Sequence, residues 1–307
     1  MKGISVKPGP RLSERTGIGL GGRALAEVHL EDVQACEKLP ALLSSLGGTP
    51  VMFGAGSNII AADEDLPLTL VSLRPSRKEP LFGKTGEKIL VRAEASMPLP
   101  ALLRAAAARG LGGLEGLAGI PGSVGGAVAM NAGSFGTETG SLLHSLTLFS
   151  PSFGMLETEA DKAVFSYRNG SFAGLPFGGA YGGGQNRDWL LVLAATFALV
   201  ERGREEVREK MRACYARKKS SQPLAAKSAG CVFKNPSPDQ PAGYLLEQAG
   251  MKGKGAGGMR FSTLHANFLT NEGNGSYAAA RDLMEEAVAA VEKTYGLLLE
   301  KEVRVWA

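Results

Sequence analysis

The chain has 307 residues, 44% of them hydrophobic, which is enough for a substantial core and for two or three domains. Its 34 basic and 30 acidic residues leave a net charge of +4 that is scattered along the chain, which argues against a nucleic-acid-binding protein and suits anionic small molecules. Three widely spaced cysteines without a CxxC pair argue against a metal site or a disulfide framework, and the absence of a long apolar run predicts a cytoplasmic protein with no membrane segment.

Hydrophobic periodicity predicts strands and helices that alternate along the chain, as in a mixed α+β fold. The predicted strands are 25–30, 50–53, 68–73, 89–95, 145–149, 189–200, 265–270 and 297–305. The predicted helices are 31–46, 98–108, 204–218, 241–250 and 277–295, the last of which ends at Gly296. A glycine-rich run at 178–184 predicts a mobile loop.

The first candidate site follows the short predicted strand 50–53. It consists of Gly54, Ala55, Gly56, Ser57 and Asn58. Glycines at this position let backbone N–H groups face a pyrophosphate, and Ser57 and Asn58 add side-chain donors. The run lacks the third glycine of a dinucleotide-binding fingerprint and the lysine of a P-loop, so a tight turn between strands is an equally good interpretation.

A second candidate site lies in the segment 113–133, which is dense in glycine and alanine. Small residues leave room for a flat ring against the backbone, and closely spaced amide N–H groups suit a flavin and its phosphates. A structural turn would not need so many small residues in succession, so the binding interpretation is favoured. The candidate cofactor-binding residues are Ile120, Pro121, Gly122, Ser123, Gly125, Gly126, Ala127, Asn131 and Gly133.

Three further residues are candidates for chemistry. Arg168, next to Tyr167, could clamp a carboxylate through two parallel hydrogen bonds, or could be a surface arginine stacked on aromatics. Small residues before Cys231 predict that its thiol sits in a tight turn beside Lys234 and Asn235, as a general acid or as a small buried hydrophobe. Glu302 alternates with apolar neighbours, which predicts an inward-pointing carboxylate on the strand 297–305 or an exposed one at its edge.

Taken in order, these residues resemble the UDP-N-acetylenolpyruvoylglucosamine reductase family, flavoenzymes of peptidoglycan precursor synthesis, from residue 12 to residue 305. The resemblance implies a two-subdomain FAD-binding fold of the vanillyl-alcohol-oxidase type, at 1–75 and 76–205. It also implies an α+β substrate-binding domain at 206–307, whose C-terminal strand returns to the active site. It further implies FAD as cofactor, NADPH as reductant, a nucleotide-sugar substrate and a monomeric protein.

The resemblance also assigns roles to residues. Arg168 and Glu302 stabilise an enol-like intermediate, and Cys231 supplies a proton. The substrate-binding residues that it implies are Tyr167, Lys219, Asn235 and His265. The family's usual proton donor is a serine, and a thiol, with a reference pKa of about 8.5, is a stronger acid.

Two other functions remain open from the sequence. A flavin oxidase with another substrate would explain the glycine-rich runs, although not the combination of Arg168, Cys231 and Glu302. A non-catalytic flavin- or nucleotide-binding protein would explain them too.

Overall fold

The structure is a computed structural model that describes residues 2–74, 79–177 and 188–307. The chain divides into two compact units. The first comprises Met1–Gly9, Leu25–Ala55 and Pro67–Arg217, and the second comprises Pro10–Ala24, Gly56–Leu66 and Lys218–Ala307. The run 178–184, predicted as a mobile loop, lies outside the described residues.

The strands are mostly short and are numbered in chain order. They are β1 Ile4–Pro8, β2 Ala24–Leu30, β3 Thr49–Met52, β4 Ile59–Ala61, β5 Leu66–Leu73, β6 Leu81–Thr85, β7 Lys88–Glu94, β8 Leu111–Gly112, β9 Gly133–Ser134, β10 Thr137–Glu138, β11 Leu143–Ser150, β12 Gly154–Glu159, β13 Val164–Ser166, β14 Asn169–Phe172, β15 Leu175–Pro176, β16 Leu191–Glu201, β17 Ser228–Cys231, β18 Gly255–Ala256, β19 Met259–Phe261, β20 Phe268–Asn271 and β21 Arg304–Trp306.

Helices are fewer than strands. The α-helices are α1 Leu39–Leu46, α2 Leu99–Ala108, α3 Val124–Ala129, α4 Arg204–Ser221, α5 Ala242–Gln248 and α6 Tyr277–Tyr295. The 3-10 helices are Leu12–Glu14, Val33–Lys38, Glu115–Leu117, Gly140–Leu142 and Ala160–Lys162. Among the described residues, none of the helices has the length and apolar character that crossing a membrane requires.

The first unit contains a six-stranded sheet, in the order β12-β11-β16-β7-β6 with β8 beside β16. Alternate residues of its central strands, such as Val91 and Phe197, face a core that also includes Leu102 of α2 and Val128 of α3. A second sheet has the order β1-β2-β5-β3, in which β3 and β5 are parallel. The carboxyl end of β3 therefore leads directly into the run that begins at Gly54.

The second unit is built on the sheet β17-β20-β19-β18, together with the parallel pair β4 and β21. Its core includes Phe233, Leu246 of α5, Phe261 of β19 and Met284 of α6. The helix α6 begins after Ser276, whose side chain accepts a hydrogen bond from the Ala279 amide, and ends before a glycine in the left-handed conformation.

The predicted mixed α+β class is confirmed, and most predicted elements are present within one to three residues of their expected ends. The predicted helix 31–46 is wrong in part: it is a 3-10 helix followed by α1, because Pro40 fits only the first turn of an α-helix. The predicted strand 297–305 is reduced to β21, because its parallel partner β4 offers only three residues.

Candidate functional site

Two of the glycine-rich runs meet in the first unit. Gly54 lies so close to Ser123 that a Cβ atom built on it would be 2.8 Å from the serine Oγ. Ser123 precedes α3, and its Oγ accepts a hydrogen bond of 3.2 Å from the Gly126 amide. The sequence did not predict α3, because two glycines among its six residues lower helix propensity. Gly54 and Ser123, one from each of the two candidate runs, are thus neighbours.

The residues around this contact are small and open to solvent. Ala55, Pro121 and Gly126 are exposed, as is Gly54 itself. Gly122 has a φ of 116°, a conformation that residues other than glycine rarely adopt. An exposed backbone surface of this kind fits the pyrophosphate and flat ring of a flavin dinucleotide.

Other candidates in this segment are engaged by the protein itself. A Cβ on Gly125 would lie 2.8 Å from Ala95 Cβ, and a Cβ on Gly133 would lie 2.6 Å from the Thr137 carbonyl oxygen. Ala127 is buried in the core, and Ile120 packs against it. These small or apolar residues are therefore also required by the packing of the protein.

Asn131 holds neighbouring loops together. It is buried, and its φ is 39°. Its Nδ2 donates to Glu138 Oε2 and to the Ser166 carbonyl, both at 3.0 Å, and its Oδ1 accepts from the Gly140 amide at 2.8 Å. Asn131, which we predicted to bind the cofactor, is thus bonded to Ser166, the residue directly before the turn that carries Arg168.

Arg168 and Tyr167 form the two-residue turn of a hairpin, since Ser166 of β13 pairs with Asn169 of β14. Arg168 has a φ of 59°, which is uncommon for a residue other than glycine and costs about 1–2 kcal/mol. Its guanidinium lies 4.8 Å from the centre of the Tyr167 ring. A strained arginine at an anchored turn is typical of a functional position.

The remaining residues of the first run lie in the second unit, beside the end of the chain. The Gly56 carbonyl accepts from the Gly17 amide at 2.9 Å. Asn58 Nδ2 donates to the Glu302 carbonyl at 3.1 Å, and the Asn58 carbonyl accepts from the Arg304 amide at 3.0 Å. Asn58, predicted to bind the cofactor, is therefore bonded to the segment that contains Glu302.

Cys231 is the last residue of β17 and pairs with Phe268 of β20, so the predicted tight turn is wrong. The pairing is interrupted by a bulge, in which Gly230 has a φ of 81°. A bulge re-aims the side chains that follow it, and the Cys231 side chain is only half-buried. The sequence missed this strand because its pairing depends on a partner that is distant in sequence.

The predicted cation and amide beside Cys231 have other partners. Lys234 Nζ lies 2.5 Å from Glu300 Oε1. Asn235 is exposed, and its Oδ1 accepts from the Ala242 amide at 2.9 Å, at the start of α5. Asn235 therefore stabilises the beginning of a helix.

Glu302 lies before β21, so the prediction that it is part of a strand is wrong, and its side chain is half-buried. Its amide donates to the Val232 carbonyl at 2.7 Å. This bond brings the backbone of Glu302 next to that of Cys231, one residue from Val232.

Asn267 was not among the predicted site residues, although it is buried and bonded to the same segment. Its Oδ1 accepts from the Phe233 amide at 2.9 Å, and its Nδ2 donates to the Phe233 carbonyl at 2.8 Å. The signal in the sequence was an asparagine inside the apolar run 265–270.

The last two predicted substrate-binding residues differ in their surroundings. Lys219 is exposed near the end of α4, whereas its neighbour Lys218 is buried. The His265 ring lies 5.1 Å from that of Phe268, and its Nδ1 accepts from the Asn267 amide at 3.3 Å. Burial, and to a smaller extent the nearby Lys252, lower the pKa of His265 below its ordinary value.

Within the described parts of the chain, no group of three or more His, Cys, Asp or Glu side chains is arranged to hold a metal ion.

Comparison with known proteins gives matches over nearly the whole chain. A family model described as UDP-N-acetylenolpyruvoylglucosamine reductase, C-terminal domain, matches residues 222–306, and one described as FAD binding domain matches residues 24–156. The UDP-N-acetylenolpyruvoylglucosamine reductase of Nitratidesulfovibrio vulgaris is 47% identical over 302 residues, which are 98% of each chain. That of Oleidesulfovibrio alaskensis is 46% identical over 300 residues, 97% of each chain.

A solved structure is also similar. The crystal structure of the UDP-N-acetylenolpyruvylglucosamine reductase of Thermus caldophilus matches with a TM-score of 0.79 and 29% identity, over 99% of this chain and all of that one. Together with the FAD binding domain match, this similarity confirms the predicted FAD-binding fold of the vanillyl-alcohol-oxidase type.

The lowered pKa of His265 predicts how stability changes with pH. An unfolded histidine takes up a proton near pH 6.5, whereas folded His265 resists protonation, so the folded state loses stability as the pH falls below about 6.5. We expect His265→Gln to lose less stability than the parent chain between pH 8 and pH 5.5, measured by urea unfolding at both values. Equal losses in the two proteins would contradict the prediction.

Proposed function

The chain belongs to the UDP-N-acetylenolpyruvoylglucosamine reductase family, and from this premise we propose that it uses NADPH to reduce UDP-N-acetylglucosamine enolpyruvate to UDP-N-acetylmuramate. It is an FAD-containing oxidoreductase of peptidoglycan precursor synthesis. The observation that carries the proposal is the 47% identity to the Nitratidesulfovibrio vulgaris reductase over 98% of both chains. The match to the C-terminal domain model disfavours an oxidase that shares only the cofactor fold.

The residues of the first unit fit FAD. Gly54 and Ser123 approach closely, and exposed small residues around them leave the backbone open to a ligand. We assign Gly54, Ala55, Pro121, Gly122 and Gly126 to this surface. FAD held there would supply the redox chemistry, the transfer of hydride from NADPH to the methylene carbon of the enolpyruvyl group.

Arg168 and Glu302 stabilise the charge that develops on the enolpyruvyl carboxylate during reduction. The planar guanidinium of Arg168 suits a carboxylate because it can form two parallel hydrogen bonds. Glu302 would repel the same group in its charged form, so it acts through a proton that it donates in a hydrogen bond. Hydrogen bonds hold the backbone at the Arg168 turn and at Glu302, and this supports these roles because it fixes the position of each Cα atom.

Cys231 donates the proton that completes the reduction, at the carbon adjacent to the one that receives hydride. Its thiol is half-buried, and the bulge at Gly230 sets the direction in which the side chain leaves the strand. Only the protonated thiol can act in this way, so activity declines where the thiol ionises.

Substrate binding involves Tyr167, Lys219, Asn235 and His265 in this proposal. Tyr167 is exposed beside Arg168, and Lys219 offers an exposed positive charge for the nucleotide phosphates. Asn235 offers the Nδ2 end of its amide, since its Oδ1 accepts from Ala242. We further propose the domain boundaries 1–75, 76–205 and 206–307, and a cytoplasmic monomer.

The overall activity is tested with the flavin as reporter. We expect purified protein to be yellow, to release its flavin on acid precipitation, to bleach with NADPH, and to regain colour anaerobically when UDP-N-acetylglucosamine enolpyruvate is added. Protein that bleaches but regains colour only with oxygen would be an oxidase, and protein without flavin would refute the proposal.

Arg168→Lys removes the planar fork but keeps the charge. We expect re-oxidation of the reduced flavin by substrate to slow about 100-fold, while reduction by NADPH stays near normal. Stopped-flow absorbance measures the two half-reactions separately. Arg212→Lys, at an exposed arginine of α4 paired with Glu205, is the control for the substitution itself. Equal slowing of both half-reactions would indicate a role for Arg168 in folding instead.

Cys231→Ser replaces the thiol with a much weaker acid. We expect substantial activity, with the alkaline decline moved to higher pH or abolished, because a hydroxyl does not ionise in this range. Cys231→Ala should still be reduced by NADPH but should re-oxidise poorly with substrate. Cys214→Ser, at a half-buried cysteine of α4, should leave the pH profile unchanged. Full re-oxidation of Cys231→Ala would show that the proton has another source.

A further inference from the structure

Val232 and Phe233 follow the end of β17, and Phe233 forms an isolated antiparallel bridge with Lys301. The β17–β20 ladder is interrupted after Ser228 and resumes only at Cys231 opposite Phe268. Phe233 is fully buried, so its amide and carbonyl need partners inside the protein.

The Asn267 side chain supplies both partners. Its Oδ1 accepts from the Phe233 amide at 2.9 Å, and its Nδ2 donates to the Phe233 carbonyl at 2.8 Å. The Asn267 backbone carbonyl also accepts from the Val232 amide at 2.8 Å. One buried residue therefore makes three hydrogen bonds to two consecutive residues that follow Cys231, and takes the place of a neighbouring strand.

The opposite edge of the same backbone carries Glu302. The Val232 carbonyl accepts from the Glu302 amide at 2.7 Å, and the Lys234 amide donates to the Glu300 carbonyl at 2.8 Å. Asn58 then holds the far side of Glu302, through its Nδ2 and the Glu302 carbonyl at 3.1 Å. These hydrogen bonds form a row that runs from Asn267 through Val232–Phe233 and Glu302 to Asn58.

We propose that Asn267 is a positioning residue that sets the distance between the Cys231 thiol and the Glu302 carboxylate, a role that rests on the function proposed above for those two groups. Cys231 precedes Val232 in the chain, and Glu302 is hydrogen-bonded to the Val232 carbonyl, so the backbone of Val232 connects the two side chains. Asn267 holds that backbone from the side opposite Glu302. Loss of one Asn267 bond lets the segment shift, and a shift of about 1 Å at reacting groups typically costs about 100-fold in rate.

Asn267→Asp is the sharpest test, because it keeps the shape and the acceptor for the Phe233 amide but removes the donor to the Phe233 carbonyl. Asn271→Asp is the matched control, since Asn271 Nδ2 donates to the Ile18 carbonyl while its Oδ1 accepts from the Gly273 and Gly275 amides. Each substitution removes one donor to a backbone carbonyl, and only the first touches the segment beside Cys231.

We expect Asn267→Asp to slow re-oxidation of the flavin by substrate about 100-fold, with reduction by NADPH within about twofold of the parent chain. Hydrogen–deuterium exchange should accelerate at the Glu302 and Val303 amides, which both face the Val232 carbonyl. The substrate step should recover as the pH falls, because protonation of the introduced carboxyl restores a donor. Asn271→Asp should show none of these changes.

Several results would overturn the proposal. These are unchanged re-oxidation in Asn267→Asp, parallel loss of both half-reactions, or equal slowing in Asn271→Asp. Should Asn267→Asp not fold, Asn267→Ser carries the same expectations for both half-reactions without an introduced charge. Failure of the parent chain to re-oxidise with substrate would refute the proposed function itself, and the role of Asn267 with it.

Discussion

The hydrogen bond from the Glu302 amide to the Val232 carbonyl is the constraint that places Glu302 beside the segment that follows Cys231. It joins two segments that are far apart in sequence, and neither residue lies in a strand. The Val303 amide donates to the same carbonyl at 3.3 Å, and the Lys234 amide donates to the Glu300 carbonyl at 2.8 Å. These backbone bonds join the segment that carries the Glu302 carboxylate to the residues that follow Cys231.

Among the described residues, positive φ values outside glycine occur at Asn131, Phe135, Arg168 and Ala173. Two of these bear on the proposed site: Arg168 lies in a hairpin turn, and Asn131 donates a hydrogen bond to the carbonyl of Ser166, the residue before that turn. Such conformations cost about 1–3 kcal/mol each outside glycine, and they persist only where surrounding packing enforces them. Here, buried hydrogen bonds and the hydrophobic clusters supply that enforcement.

Local signals in the sequence predicted much of the fold. The helix Tyr277–Tyr295 was predicted with its correct ends because a serine cap, an apolar stripe and a terminal glycine all lie within the segment. Two of the failures were non-local: the strand containing Cys231 depends on Phe268, and the length of the last strand depends on β4. The same holds for the site. The residue type alone indicates what Arg168, Cys231 and Glu302 can do chemically, so they could be predicted from the sequence. Asn267 could not, because its proposed role depends on hydrogen bonds to Phe233, which is 34 residues away.

The chain passes back and forth between the two units, and this path limits how the protein can be divided. Ile18, Leu20 and Ile60 belong to the same core as Leu246 and Met284, which come from the C-terminal part of the chain. During synthesis, more than 150 further residues must be added after those three apolar residues before the core that they share can form. A fragment covering only residues 222–306 would lack them and the strand β4. Exchange of this module between related proteins would therefore require three separate segments to be transferred together.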